Sequence, residues 1–305
     1  MKVKFWGVRG SIPCPGPQTA RYGGNTICLE LQFQNPPRRI IIDAGSGLRA
    51  FGNHLMQEQE NRQPVSADMF LTHTHLDHIL GFPFFPPIYN SETKLKIYGP
   101  LTCEEESLET VLGGQLSYRY FPVRQTELAA HIEYIDLTEG RFELGDGIRL
   151  TTKYLNHPLL CLGYRFEYQG KVFCTAYDTE PFQNIFSIDP DDPAYDEVLI
   201  QEGELAARAE NRRMQEFIAG SDVLIYDAQY TRQEYEANRI GWGHAPVEHA
   251  IEIAKRAEVA KLALLHHDPM RTDSQLDALT HKFCNSRNTG DTEVFFAREG
   301  MVIDI

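Results

Sequence analysis

LTHTHLDHIL, Leu71 to Leu80, places His73, His75, Asp77 and His78 within six residues. Three imidazoles and a carboxylate compete for hydration, and the imidazoles repel one another once protonated, so the stretch is a poor piece of hydrophobic core. Neutral imidazole and ionised carboxylate are good ligands for a divalent cation, and the stretch reads as part of a metal site. ADMF before it has strand composition. At a strand end alternate residues point the same way, which brings His73 and His75 to one side. Asp77 and His78 follow as the chain turns, and face a neighbouring position. One four-coordinate site with an open position needs only three protein ligands. Four ligands this close, with more His and Asp at distant strand ends, point to two metals sharing a bridge.

Outward from this stretch the chain repeats one theme, an apolar run that ends in polar, metal-type residues. VKFWGV (3–8) and TICLELQF (26–33) alternate as half-buried strands do, with a Gly/Pro-rich loop between them. RRIIIDAGSGLRAFGNHL predicts a buried strand, a turn at Asp43–Gly47 and a helix. KLKIYGP predicts another strand and ESLETVLGG a helix stopped by glycine. The second half echoes the first. IRLTTKYLNHP ends at His157, the hairpin-like YRFEYQGKVFCTAYDTE at Asp178, and SDVLIYDAQY near Asp227. APVEHAIEIAKRAEVAKLALLHHDP gives an amphipathic helix, a short strand and a His pair. Polar residues at strand ends are where catalytic groups collect in layered α/β proteins. The expected fold is α/β (α+β by some schemes), an αβ/βα sandwich of two mixed sheets flanked by helices and built on an internal pseudo-repeat. The expected organisation is a single domain over 1–305 with an acidic insertion at about 179–220, where ten Asp/Glu face three Arg. The insertion reads as a solvated surface, and ELAARAENRRMQEFIA within it as an amphipathic helix.

The 305 residues are 42% hydrophobic, enough for a sizeable core. The formal net charge of -14 comes from 43 acidic against 29 basic side chains and disfavours binding to polyanions. The amino terminus lacks the apolar stretch of a signal peptide and no run approaches a membrane span, so a cytoplasmic protein with no membrane partner is expected. Cys14, Cys28, Cys103, Cys161, Cys174 and Cys284 form no C-x-x-C pair and read as reduced core thiols.

The segment His73-Thr74-His75-Leu76-Asp77-His78 resembles the H-x-H-x-D-H signature of the metallo-β-lactamase superfamily. Further matches in chain order are similar to its phosphodiesterase branch, which holds ribonuclease Z, the phosphoribosyl cyclic phosphodiesterases and the cyclic-nucleotide phosphodiesterases. They are NHP (His157), YDTE (Asp178), IYDAQY (Asp227), GWGHAPVEHA (His244) and LALLHHDP (His266), with FWGVRGSIP, RYGGNT and IIDAGSGLR ahead of them. The resemblance implies that His73, His75 and His157 hold one metal and Asp77, His78 and His266 a second, with Asp178 bridging. His266 is preferred to His267 because it directly follows the strand KLALL. Two divalent ions are implied; zinc suits the imidazole-rich set, with manganese or iron as alternatives. The implied reaction is attack of a metal-bound hydroxide on phosphorus, with Asp77 among the catalytic groups. His244 would stabilise the transition state or protonate the leaving alkoxide, with Asp227 orienting it.

The expected function is therefore phosphodiesterase action on a small, cyclic phosphodiester: a cyclic nucleotide or phosphoribosyl cyclic phosphate. Nucleic acid is not the expected partner; a homodimer is expected only by analogy with relatives. The alternatives are a ribonuclease Z-like endonuclease, whose basic arm this chain lacks, a lactam or thioester hydrolase on the same fold, and a metal-binding sensor without catalysis. Other candidates have plainer readings. Asp43 is expected to brace the loop under the metals, GFPFFPPIY to pack on the core rather than stack a base, and His54, His131, His249 and His281 to be ordinary histidines. Arg9 and Arg21 divide evenly between phosphate clamp and surface.

Overall fold

The computed structural model describes residues 1–58, 64–101 and 106–305. Cys103 lies outside the described residues. The apolar runs become strands: β1 (Lys2–Gly7), β2 (Cys28–Gln34), β3 (Pro37–Ile42), β4 (Ser66–Phe70), β5 (Lys94–Pro100) and β6 (His131–Leu137) in the first half. The second half holds β7 (Gly140–Glu143), β8 (Arg149–Tyr154), β9 (Leu162–Tyr168), β10 (Lys171–Ala176), β11 (Val223–Asp227), β12 (Lys261–Leu265), β13 (Glu293–Phe296) and β14 (Val302–Asp304). They form two seven-stranded sheets, in the orders β14-β1-β2-β3-β4-β5-β6 and β13-β12-β11-β10-β9-β8-β7.

The pairing makes the pseudo-repeat explicit. β1, β2 and β3 pair antiparallel, and β3 to β6 pair parallel. β8, β9 and β10 pair antiparallel, and β10 to β13 pair parallel. Each sheet is then extended at its antiparallel end by one further strand, β7 beside β8 and, donated from the second half of the chain, β14 beside β1. Four of these strands, β6, β7, β13 and β14, are not among those expected from the sequence. β6 and β7 carry several exposed residues, and β13 and β14 span four and three residues. Their alternation is short or only partly buried, and pairing with a neighbour fixes them as strands.

Alternation along the central strands separates three cores. Ile40, Ile42, Phe70, Phe166, Phe173, Ile225 and Leu265 fill the space between the sheets. Ile41, Met69 and Leu71 face outward, under α1 (Gly47–Glu58) and α3 (Leu108–Gly114). Leu224, Tyr226, Leu262 and Leu264 face the other way, under α4 (Glu197–Ile218), α6 (Val247–Arg256) and α7 (Asp273–Phe283). Such β-branched and aromatic runs, buried on both faces, are typical of parallel strands covered by helices.

Two expectations need adjusting. α4 begins earlier than ELAARAENRRMQEFIA, because the Asp196 side chain accepts from the Val198 and Leu199 N–H groups and caps it. Its last turns bury Met214, Phe217 and Ile218 against the second sheet, so only the earlier part of 179–220 is a solvated surface. Thr179 and Glu180 are buried too. No described helix is long and apolar enough to cross a membrane.

Candidate metal centre

The carboxyl ends of the parallel strands meet at one edge of the sandwich, where ligands bind in open α/β sheets. β3 leads to Asp43, β10 to Asp178 and β12 to His266, while β11 ends at Asp227. Asp43, Asp178 and His266 adopt positive φ, at 62°, 54° and 60°. A left-handed residue with a side chain costs about 1–2 kcal/mol. Here the conformation turns a strand-end side chain back into the cleft, and it recurs in both halves.

The first cluster gathers His73, His75 and His157. His73 Nε2 and His157 Nε2 lie 2.9 and 3.0 Å from His75 Nδ1. β4 stops at Phe70, so strand alternation does not align His73 with His75; an extended loop does, and it leaves His75 the exposed member. The second cluster gathers Asp77, His78 and His266. Asp77 Oδ2 is 3.4 Å from both His78 Nε2 and His266 Nε2. Asp178 Oδ2 lies between the clusters, at 3.3 Å from His266, 3.4 Å from His78, 3.7 Å from His73 and 4.0 Å from His157. Tetrahedral zinc with ligands at about 2.0–2.1 Å would hold donor atoms about 3.3 Å apart, so these separations suit two cations sharing Asp178.

Three of the imidazoles are held from behind by an acceptor. Nδ1 of His78 bonds Asp43 Oδ2 at 2.9 Å, that of His266 bonds Gln229 Oε1 at 3.0 Å, and that of His157 bonds the Gly243 carbonyl at 3.1 Å. With Nδ1–H donated outward, Nε2 presents its lone pair to the cleft. His78 Nε2, His266 Nε2 and Asp178 Oδ1 are buried without a hydrogen-bond partner. Their neighbours at 3.3–3.4 Å are electrostatic, not aligned for hydrogen bonding. Orphaned buried polar atoms cost about 1–3 kcal/mol each, a penalty that ligation removes.

The electrostatics agree. Burial depresses His73, His75 and His157, the last to about 4, which keeps them neutral as ligands must be. Burial also disfavours charge on His78 and His266, but Asp178 and the other carboxylates outweigh it and raise both, His266 to about 10. Asp77 and Asp178 are buried as well, yet these two histidines hold them well below the usual carboxylate range. The carboxylates demand positive charge at the centre, which a divalent cation can supply in place of imidazole protons. The donor set fits a metal.

Asp43 braces the centre as expected. It accepts from the Thr72 N–H at 2.7 Å, from the Thr72 hydroxyl and from Tyr177 Oη at 2.8 Å, besides His78. Tyr177 comes from the opposite sheet, so this carboxylate ties the halves together beneath the site. His244 Nδ1 bonds Asp227 Oδ2 at 2.9 Å, and its ring stacks on His266 at 4.5 Å. Asp227 also accepts from the N–H groups of Asp178, Gln229 and Ala245.

His267 points away: its Nε2 bonds the Ala297 carbonyl at 2.8 Å, which leaves His266 the member of the pair that faces the cleft. Neither arginine reaches the centre. Arg9 is fully buried and binds the carbonyls of Gly23, Asp268 and Arg271, while Arg21 pairs with Asp277. Phe82, Phe85 and Ile88 pack into the core, with Phe84 left exposed. His54, His131, His249 and His281 join none of the clusters.

Sequence reasoning missed Gln229, Glu180 and Gly243. Gln229 lies two residues beyond Asp227, an interval that signals a shared side. Glu180 follows the Asp-Thr pair directly; its carboxylate accepts from Tyr235 Oη at 2.8 Å and from the Gly241 and Gly243 N–H groups at 3.0 and 3.3 Å. Gly243 has φ 79°, and a Cβ there would stand 2.2 Å from His157 Nδ1. Gly243→Ala is therefore expected to displace His157 and lower turnover by about 10²-fold, the loss that a misplacement of about 1 Å produces, with far-UV circular dichroism unchanged. Near-normal turnover would show that the loop can yield.

A family profile described as a β-lactamase superfamily domain matches residues 38–191. Ribonuclease BN of Proteus mirabilis is 23% identical over 333 aligned positions, covering 97% of this chain and 99% of that protein. A metallo-β-lactamase-fold protein from Bacillus subtilis superposes with a TM-score of 0.63 at 18% identity, over 99% of each chain. A diphosphatase of the PhnP family gives 0.62 at 14% identity, covering 100% of this chain and 97% of its own. At such identities the structural likeness speaks for the fold alone.

Proposed function

We infer, since this chain belongs to the metallo-β-lactamase superfamily, that it is a dinuclear-metal phosphodiesterase acting on a small, cyclic phosphodiester such as a cyclic nucleotide or phosphoribosyl cyclic phosphate. The observation that carries this reading is Asp178 Oδ2, set within 3.3–4.0 Å of four imidazole nitrogens from two clusters. His73, His75 and His157 would hold one ion, and Asp77, His78 and His266 the other, with Asp178 common to both. Zinc suits the imidazole majority. Divalent ions, when bound, supply the Lewis acidity and the activated nucleophile that hydrolysis of a phosphodiester requires.

The chain's own groups supply the rest. Asp43, Gln229 and Gly243 fix the rings of His78, His266 and His157 and direct Nε2 inward. The Ser11 N–H donates to Asp77 Oδ2 at 2.7 Å and orients that carboxylate. Asp227 fixes Nδ1–H of His244, so Nε2 is the atom that carries a proton towards a leaving alkoxide, and the carboxylate steadies the imidazolium. Half-buried at the rim, His244 can reach a substrate without being a ligand.

A second reading rests on the relative named ribonuclease BN: cleavage of RNA at the same centre. Charge weighs against it. RNA affinity comes largely from Lys and Arg neutralising phosphates, and this chain carries 43 acidic against 29 basic residues. A small diester needs one or two phosphate contacts, within reach of the centre itself. With one metal-loaded preparation, turnover of cyclic mononucleotides or phosphoribosyl cyclic phosphate is expected, with little 3′ processing of pre-tRNA at physiological salt. Efficient processing of pre-tRNA without cyclic turnover would install the endonuclease instead.

A further inference from the structure

We propose that Trp242, backed by Arg239, is a platform at the mouth of the centre on which the base of a small nucleoside phosphate stacks. Tryptophan is highly buried on average. This chain has two; Trp6 packs against Phe51 and bonds Glu30, while Trp242 is 54% exposed. Its exposure is not that of a slack loop. Gly241 and Gly243 flank it with φ of 85° and 79°, and both donate their N–H groups to the Glu180 carboxylate. The glycines give the loop its left-handed corners and Glu180 clamps both, so the indole is held out on a fixed stalk.

The stalk stands beside the chemistry. Gly243, next in the chain, holds His157 through its carbonyl, and His244 follows directly. The Arg239 guanidinium carbon lies 4.4 Å from the Trp242 ring centroid and 5.7 Å from that of Tyr230, whose ring is 6.2 Å from His244. A contiguous series of planar groups therefore leads from Trp242 to the rim histidine. The guanidinium stands over the indole ring, and more than half of the residue's surface stays accessible. Arg239 makes no ion pair among the described residues, although the chain carries a net charge of -14. Among the described residues its guanidinium donates to the neutral Asn238. An uncompensated cation against an exposed indole, beside a centre suited to phosphate, matches a ligand with a π-face and a negative charge. A nucleoside phosphate has both, and base–aromatic stacking tolerates any base.

This inference rests on the phosphodiesterase reading for its place in catalysis, so its first test uses no turnover. Adenosine 5′-monophosphate is expected to quench the fluorescence of the wild-type protein saturably. Ribose 5-phosphate is expected to leave it unchanged, and Trp242→Phe, whose remaining indole is Trp6, to lose the response. The second test is kinetic. In Trp242→Ala the ratio of kcat/KM for a cyclic nucleotide to that for phosphoribosyl cyclic phosphate should fall about tenfold, chiefly through KM, at unchanged metal content. Trp242→Phe should recover most of that ratio. Equal quenching by both phosphates, quenching that survives in Trp242→Phe, or an unaltered ratio would overturn the platform. Tighter quenching by an oligoribonucleotide than by the mononucleotide, with a steep salt dependence, would overturn the small-ligand assignment. Saturable quenching without any cyclic turnover would uphold the platform and reject the phosphodiesterase reading.

Discussion

Asp178→Ala is expected to lose metal and turnover together while its circular dichroism stays that of the wild type. The carboxylate lies within 4.0 Å of imidazole Nε2 atoms from both clusters, so its removal should uncouple two sites at once. Changes one layer outside a metal typically cost about 10–100-fold, and removal of a shared ligand should exceed that. The fold should survive because the three apolar cores do not depend on this side chain. His157→Ala, which touches one cluster, should empty mainly one site. Elemental analysis of the purified variants decides the matter. An Asp178→Ala protein that retains about two metals per chain and normal turnover would remove the bridging role.

His244→Ala should behave in the opposite way, with metal content intact and catalysis impaired. A positioned acid–base group contributes about 10²–10⁴-fold, and that loss should appear with an alkoxide leaving group that needs a proton. An activated leaving group such as p-nitrophenolate leaves unprotonated and should be far less sensitive. Unchanged kinetics on the poor leaving group would return His244 to a packing role. Asp227 is a poorer probe of the same step, because it also accepts from the N–H groups of Asp178, Gln229 and Ala245. Its replacement should disturb the centre along with the proton path.

The clustered ligands were legible because they are local. His73, His75, Asp77 and His78 announce a cation within one turn of chain, and the isolated His157, Asp178 and His266 gain meaning once each is seen to end an apolar run. The same alternation that buries Ile40 and Ile42 between the sheets and Ile41 outside them made the sandwich readable. It was too short or too shallow to single out β6, β7, β13 and β14, whose alternation is only partly buried or spans three or four residues, and the neighbouring strand decides there. The acidic stretch misled only in its reading as a solvated surface, since the amphipathic helix expected in its second part is present as α4. Its charge density described the exposed turns of α4, while Met214, Phe217 and Ile218 on the apolar face join the helical layer.

By itself the sequence determined the donor types, the strand ends that carry them and the charge that disfavours polyanions, since each is a property of single residues or short intervals. Tertiary structure supplied the reason that His266, preferred from its place after KLALL, faces the cleft and His267 does not: the left-handed turn at His266, φ 60°, points it inward and sends the next ring to the Ala297 carbonyl. It also decided that Arg9 is a buried brace, that Gln229 and Gly243 hold the rings of His266 and His157, and that Glu180 clamps the loop bearing Trp242. Those roles depend on contacts between residues tens to hundreds of positions apart. Local composition is blind to them, because the same carboxylate or imidazole serves as surface, brace or ligand according to what the opposite sheet brings within about 3 Å of it.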